Sequence, residues 1–174
     1  MQQAILTEVD AGVGIITLNC PERHNAFDDV LISELTQAID AMTQDAAVRV
    51  IVLSSNGKSF CAGADLNWMR RAANYSDAEN LRDARALADM LRCLAQCPKP
   101  TIARVQGPAY AGGVGLVACC DIVIAVFDAQ FSLPEVRIGI VPATISPYVI
   151  SAIGERHARR YMLTAERFSA AVAY

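Results

Sequence analysis

The stretch Thr101-Ile102-Ala103-Arg104-Val105-Gln106-Gly107-Pro108-Ala109-Tyr110-Ala111-Gly112-Gly113-Val114-Gly115-Leu116-Val117-Ala118-Cys119-Cys120-Asp121-Ile122-Val123-Ile124-Ala125-Val126 decides the fold. Thr101 to Val105 reads as a strand released by Pro98 and Pro100. A loop of small residues follows, then a short apolar helix from Val114 to Cys120 and a second strand from Asp121 to Val126. Short apolar strands alternating with helices imply an α/β domain whose parallel strands are buried on both faces.

The same grammar extends outward. Val13 to Leu18 is rich in β-branched residues and reads as a strand that Pro21 ends. Asp28 or Asp29 can cap a helix with Leu31, Leu35, Ile39 and Met42 at helical spacing. Val48 to Leu53 is a short apolar strand, and Ser54-Ser55-Asn56-Gly57 a turn cluster. Ser76 and Glu79 form a capping box for a helix with Leu81, Ala84, Ala88, Leu91 and Leu94 on one face. Ala129 to Ser132 reads as a shorter strand and Glu155 to Glu166 as a helix. There is no fixed-period repeat, but strand-then-helix units recur, as a spiral of such units would require. The chain stops at Ala171-Val172-Ala173-Tyr174 without a polar cap, so 1–174 reads as one core domain cut from a longer polypeptide.

Composition narrows the function classes. Hydrophobic residues make up 53% and charged residues 19%, a globular balance. A net charge of -3 without a Lys/Arg cluster argues against nucleic acid as partner. No apolar run approaches the ~18 residues of a membrane span. Met1-Gln2-Gln3 lacks the layout of a signal peptide. The expectation is a cytoplasmic protein without a membrane partner. The six cysteines are scattered or adjacent in apolar runs and read as free buried thiols. His24 and His157 flank no cysteine pair, so no metal site is expected.

Two loops leave a strand and enter a helix: Ser59 to Leu66, and Gln106 to Leu116. Small residues let a backbone approach a ligand closely. Helix N-termini leave amide N–H groups free for anionic oxygen. Two such amides aimed at one point make an oxyanion hole; tight packing alone is the competing explanation of the small residues. Gly113-Val114-Gly115-Leu116-Val117-Ala118 matches a dinucleotide fingerprint formally, but no strand ends directly before it. The Gly-Lys-Ser/Thr of a P-loop and a Gly-x-Ser-x-Gly elbow are both absent.

Phe60 to Leu66, Gly107 to Asp121, Pro134-Glu135-Val136-Arg137-Ile138-Gly139 and Pro142 resemble the enoyl-CoA hydratase/isomerase (crotonase) family in order and spacing. Pro21-Glu22-Arg23-His24-Asn25-Ala26 is similar to its N-terminal CoA loop. Ala64 to Met69, Ile102 to Gly107, Gly112 to Ala118 and Ile140 to Tyr148 look closest to bacterial hydratases of 3-methylglutaconyl-CoA or isohexenylglutaconyl-CoA, of leucine and terpene breakdown. The resemblance implies an α/β spiral of ββα units. It implies an acyl-CoA substrate, no cofactor beyond that CoA, and a homotrimer or dimer of trimers when full length. The family's C-terminal helical segment, which helps build trimers and close the acyl site, is missing from this stretch.

The resemblance also implies roles by position. The amides of Ala64 and Gly112 would hold the thioester oxygen, with Glu135 as acid/base. Carbonyls near Ala62, Ala64 and Leu66 would face the adenine, and Arg23 the CoA phosphates. Ala26, Asp65, Tyr110, Gly113, Pro134 and Gly139 would complete the substrate surface. Asp65 also reads as a helix-start residue that orders its loop. The family's hydratases commonly use a second glutamate, and Gly115 stands in its place. That departure is expected to leave room for a branched or carboxylated acyl chain. It also keeps two rivals open: a Δ3-Δ2 enoyl-CoA isomerase, which needs one carboxylate, and a non-catalytic acyl-CoA-binding subunit. Arg104 and Arg137 are candidates for a distal carboxylate, though solvated or structural arginine is the expected reading.

Overall fold

A computed structural model describes residues 3–173. The readings placed on Met1, Gln2 and Tyr174 lie outside the described residues. Strands β1 (Ile5–Asp10) and β2 (Val13–Leu18) form an antiparallel hairpin. Its two-residue turn, Ala11 and Gly12, has φ of 48° and 88°, the positive-φ geometry that matches strand twist. β1 escapes a pattern search because only its first residue is buried. Asp28 caps α1 (Asp29–Gln44) by accepting from Leu31 N at 2.8 Å. Leu31, Leu35, Ile39 and Met42 of α1 are all buried, as their spacing requires.

β3 (Val50–Ser55), β4 (Thr101–Val105) and β6 (Ile122–Ala125) continue the sheet in the order β1-β2-β3-β4-β6, parallel from β2 onward. β5 (Ala109–Tyr110), β7 (Gln130–Ser132) and β8 (Phe168–Ser169) form a second, smaller sheet. An isolated bridge from Cys61 to Ala109 extends it. A pattern therefore repeats: a strand in the large sheet, a short extended piece in the small one, then a helix. α2 (Leu66–Ala72) follows β3 and Cys61; α4 (Gly112–Cys119) follows β4 and β5. α3 (Asp77–Ala95), α5 (Ser146–Thr164) and the short α6 (Ala170–Ala173) complete the chain. The core joins Leu35 and Ile39 to Ile16, Leu18, Ile51 and Leu53 of the sheet, and to Met90, Leu91 and Leu94 of α3.

Several sequence expectations shift. Ser54 and Ser55 belong to β3, not to a turn. Their hydroxyls are satisfied by Thr17 Oγ1 at 2.9 Å and by Ser59 O at 3.2 Å, so the turn starts only at Asn56-Gly57. On α3 the box of Ser76 and Glu79 is formed, but Leu81 and Ala84 are exposed, and only the C-terminal half packs on the core. Burial of the parallel strands on both faces fails at β6, an edge strand whose Ile122, Val123 and Ile124 are exposed. α5 begins nine residues before Glu155 and breaks at Gly154, where φ is 77°. All six cysteines are free. Burial pushes the thiols of Cys61, Cys93, Cys119 and Cys120 up to about 12, where a nucleophilic thiolate is scarce.

Candidate active site

The first loop is held from below by Asn25, a fully buried residue with φ of 54°. Its side chain accepts from Cys20 N at 2.8 Å and donates to the carbonyls of Asn56, Ser59 and Phe60. Asparagine tolerates the left-handed region better than most residues. Next to it, Phe27 N donates to Gly63 O at 2.7 Å, and Asp65 N donates to Phe27 O at 2.7 Å. This one-residue parallel bridge brackets Ala64. Extended backbone alternates its polar groups, so the Ala64 N–H faces away from Phe27.

Asp65 then starts α2, its carboxylate accepting from Asn67 N at 2.8 Å and Trp68 N at 2.9 Å. The sequence reading of Asp65 as the residue that orders this loop holds. Replacing it by alanine removes both bonds; Asp65→Ala is expected to cost about 1 kcal/mol of stability. Denaturant titration checks this, and an unchanged midpoint would refute it.

The second loop lies directly against the first. Tyr110 N donates to Cys61 O at 2.9 Å, and Phe60 N to Pro108 O at 2.9 Å. Contact is so close that a Cβ built on Gly113 would stand 2.3 Å from Cys61 O, and one on Gly107 2.1 Å from Lys58 O. A Cβ on Gly63 (φ 89°) would stand 3.2 Å from Gly112 N. Glycine is a steric requirement here. Ala111, with φ of 49°, turns the chain into α4, whose first residue is Gly112. Among the described residues, the N–H groups of Ala64 and Gly112 donate to no protein acceptor. Two adjacent unpaired backbone donors are the requirement for holding an oxyanion.

Glu135 reaches the same edge through the small sheet. β5 and β7 run parallel, with Tyr110 opposite Ser132, and Ala111 N donates to Ser132 O at 2.9 Å. Both chains therefore leave the sheet in the same direction, one into Gly112 and the other into the turn Pro134–Ile138. That turn is a 3₁₀ helix with Pro134 at its start and Gly139 (φ 75°) at its end. Glu135 is 7% exposed, and its Oε2 has no hydrogen-bond partner. Burial pushes its carboxyl above the usual glutamate range. A buried carboxylate with a free oxygen and a raised pKa is suited to proton transfer near neutral pH.

The other candidates scatter more. Arg23 is engaged inward: its guanidinium pairs with Asp28 and lies 3.8 Å from Asp65 Oδ2. Burial works against the Asp28 charge, but Arg23 and the Leu31 amide outweigh it and hold that carboxyl below its usual range. Ala26 is buried, Ala62 N donates to His24 O at 3.0 Å, and Leu66 is exposed. Tyr110 has the Arg167 guanidinium 5.4 Å from its ring centroid. Arg137 donates to Ala165 O at 2.9 Å, a structural use, and Arg104 is exposed. The expectation for Gly115 is overturned. A Cβ there would stand 2.2 Å from Ile145 Cγ2 and 2.8 Å from its Cβ. Ile145 fills the volume that a side chain at 115 would take, so the missing side chain leaves no open space at that position. Asn25, Gly63 and Ile145 stand inside segments quoted from the sequence but were given no role of their own there, and Phe27 lies outside all of them. A concavity of about 720 Å³ lies between α4, α5 and β6 and includes none of Ala64, Gly112 and Glu135.

Residues 8–174 match the family model described as enoyl-CoA hydratase/isomerase. The chain belongs to the enoyl-CoA hydratase/isomerase family. An enoyl-CoA hydratase structure from Shewanella pealeana is 48% identical, with a TM-score of 0.95, over 98% of this chain and 64% of that one. An enoyl-CoA hydratase of Alternaria alternata is 41% identical over 90% of this chain and 51% of its own length. A mitochondrial enoyl-CoA hydratase of Pongo abelii is 38% identical over 91% and 53%. The chain thus spans about half the length of these two relatives. Its architecture is the family's crotonase fold. Among the described residues no helix is long and apolar enough to cross a membrane, and no cluster of His, Cys, Asp and Glu is suited to a metal.

Proposed function

We propose that this chain carries the acyl-CoA site of an enoyl-CoA hydratase. The observation behind the reading is a buried Glu135 carboxyl with a partnerless Oε2, on the same edge as the two unpaired amides of Ala64 and Gly112. The amides hold the thioester oxygen as negative charge builds on it. Glu135 takes a proton from water, whose oxygen bonds to C3, and returns a proton to C2. No cofactor takes part beyond the CoA that the substrate brings. CoA lies against the loop from Arg23 to Ala26 and the carbonyls of Ala62, Ala64 and Leu66. Arg23 acts there mainly by fixing the loop, because Asp28 already holds its guanidinium. In the same reading the substrate is a glutaconyl-type CoA thioester and the assembled protein is a homotrimer.

A second reading has its own observation. Gly115 lacks the second carboxylate, and Ile145 seals its place, so a single base could instead carry a proton between C4 and C2 as an isomerase. Full-length protein assayed with 2-enoyl-CoA, 3-enoyl-CoA and glutaconyl-type thioesters separates the readings. Hydration destroys the conjugated enoyl thioester chromophore and yields a 3-hydroxyacyl-CoA. Bond migration creates that chromophore from a 3-enoyl-CoA without adding water. Tight CoA binding with neither reaction would sink both in favour of a non-catalytic acyl-CoA-binding subunit.

A further inference from the structure

We infer that Phe27 is the positioning residue that sets the distance between the two oxyanion amides, an inference that rests on the reading of Ala64 and Gly112 above. One residue touches both halves of the site by different means. Its backbone holds Gly63 O and Asp65 N at 2.7 Å each, which fixes Ala64 between them. Its ring abuts Gly112: a Cβ there would stand 2.5 Å from Cε2 and 3.0 Å from Cδ2. Phe27 is itself 1% exposed. It is followed by Asp28, whose carboxylate caps α1 and is gripped by Arg23. The ring is therefore mounted on a rigid corner between the Arg23 loop and α1.

The ring works as a spacer. Gly112 is the first residue of α4, and nothing on its own side chain can locate it. The Phe27 ring edge locates it by contact, while the backbone bridge locates Ala64 from the same residue. An oxyanion hole depends on donor placement at the level of tenths of an ångström, and a misplacement of about 1 Å can cost 10²-fold in rate. Phe27 contacts no reacting atom in this scheme and acts only through the two amides.

The test uses the full chain and a conjugated arylacryloyl-CoA, whose absorption moves to the red when its carbonyl is polarised by hydrogen bonds. Phe27→Leu keeps the backbone bridge and removes the flat ring edge. Its expected result is a kcat lower by about 10–10²-fold, KM within about threefold of the parent, and a smaller red shift of the bound probe. Gly112→Ala alone should also lower kcat, because its Cβ collides with the ring. Combined with Phe27→Leu, the collision is relieved, and the double variant should exceed the product of the single effects by about tenfold. The probe shift separates this from a general packing defect, which would lower stability and leave the red shift of the bound probe at the parental value. Phe27→Met carries the same expectations should the leucine variant unfold. If the parent shifts the probe and both variants retain shift and kcat, or if the double variant shows no rescue, Phe27 does not set the spacing. If the parent itself gives no shift, the amide reading fails first, and this inference with it.

Discussion

Glu135→Gln is expected to slow turnover about 10²–10⁴-fold while leaving thioester affinity nearly unchanged. The substitution keeps size and polarity and removes only the titratable proton. Gly115 leaves no second carboxylate at the other family position to take over. Near-parental turnover of a purified full-length variant would remove Glu135 from the mechanism. The same variant has a stability signature with a defined sign. Burial raises the folded-state pKa of Glu135 above the ordinary 4.5. The folded protein then holds this proton more tightly than the unfolded chain does. Its contribution to stability is fully present below the unfolded pKa and is lost as pH rises through the folded value. Glutamine has no such dependence and avoids a buried unpaired charge. Glu135→Gln should therefore melt above the parent near neutral pH, with the gap closing toward about pH 4. Melting curves over that range check it, and a gap independent of pH would refute the burial argument.

Gly115→Glu is expected to destabilise the fold by roughly 4 kcal/mol rather than to supply the missing second base. The first carbon already collides with Ile145, at 2.2 Å, and Leu91 Cδ2 lies 3.7 Å away. Overpacking of this kind costs about 1–3 kcal/mol. A carboxylate inserted among Ile145 and Leu91 adds the penalty of an unpaired buried charge. Gly115→Ala isolates the steric part and should cost about 1–3 kcal/mol. Adding Ile145→Ala should return part of it, since the two positions share one volume. Denaturant midpoints of the four proteins decide the matter. Parental stability of Gly115→Glu, with faster turnover, would show that Ile145 yields and that the site has room after all.

The sequence by itself determined the elements whose signals are local. Thr101–Val105 appears as a strand with the bounds read from its composition, Ser76 caps the helix it was read to cap, and of the two candidates Asp28 and Asp29 it is Asp28 that caps α1. Their causes lie within a few residues, in caps, prolines and spacing. The two small-residue loops were legible as a pair, because each ends a strand and opens a helix, and their family resemblance named Ala64, Gly112 and Glu135. What the loops do to each other was not legible. The 2.1–2.3 Å limits at Gly107 and Gly113 come from carbonyls of Lys58 and Cys61, roughly 50 residues earlier in the chain. The parallel pairing of β5 with β7, which carries Glu135 to the edge that holds Gly112, is likewise a long-range match. Gly115 shows the division most clearly. As a letter it reads as a missing carboxylate and therefore as space. In three dimensions a side chain 30 positions later occupies that space. A sequence states which atoms a residue lacks; only close packing of the folded chain decides whether the volume left behind stays open or is filled by another side chain.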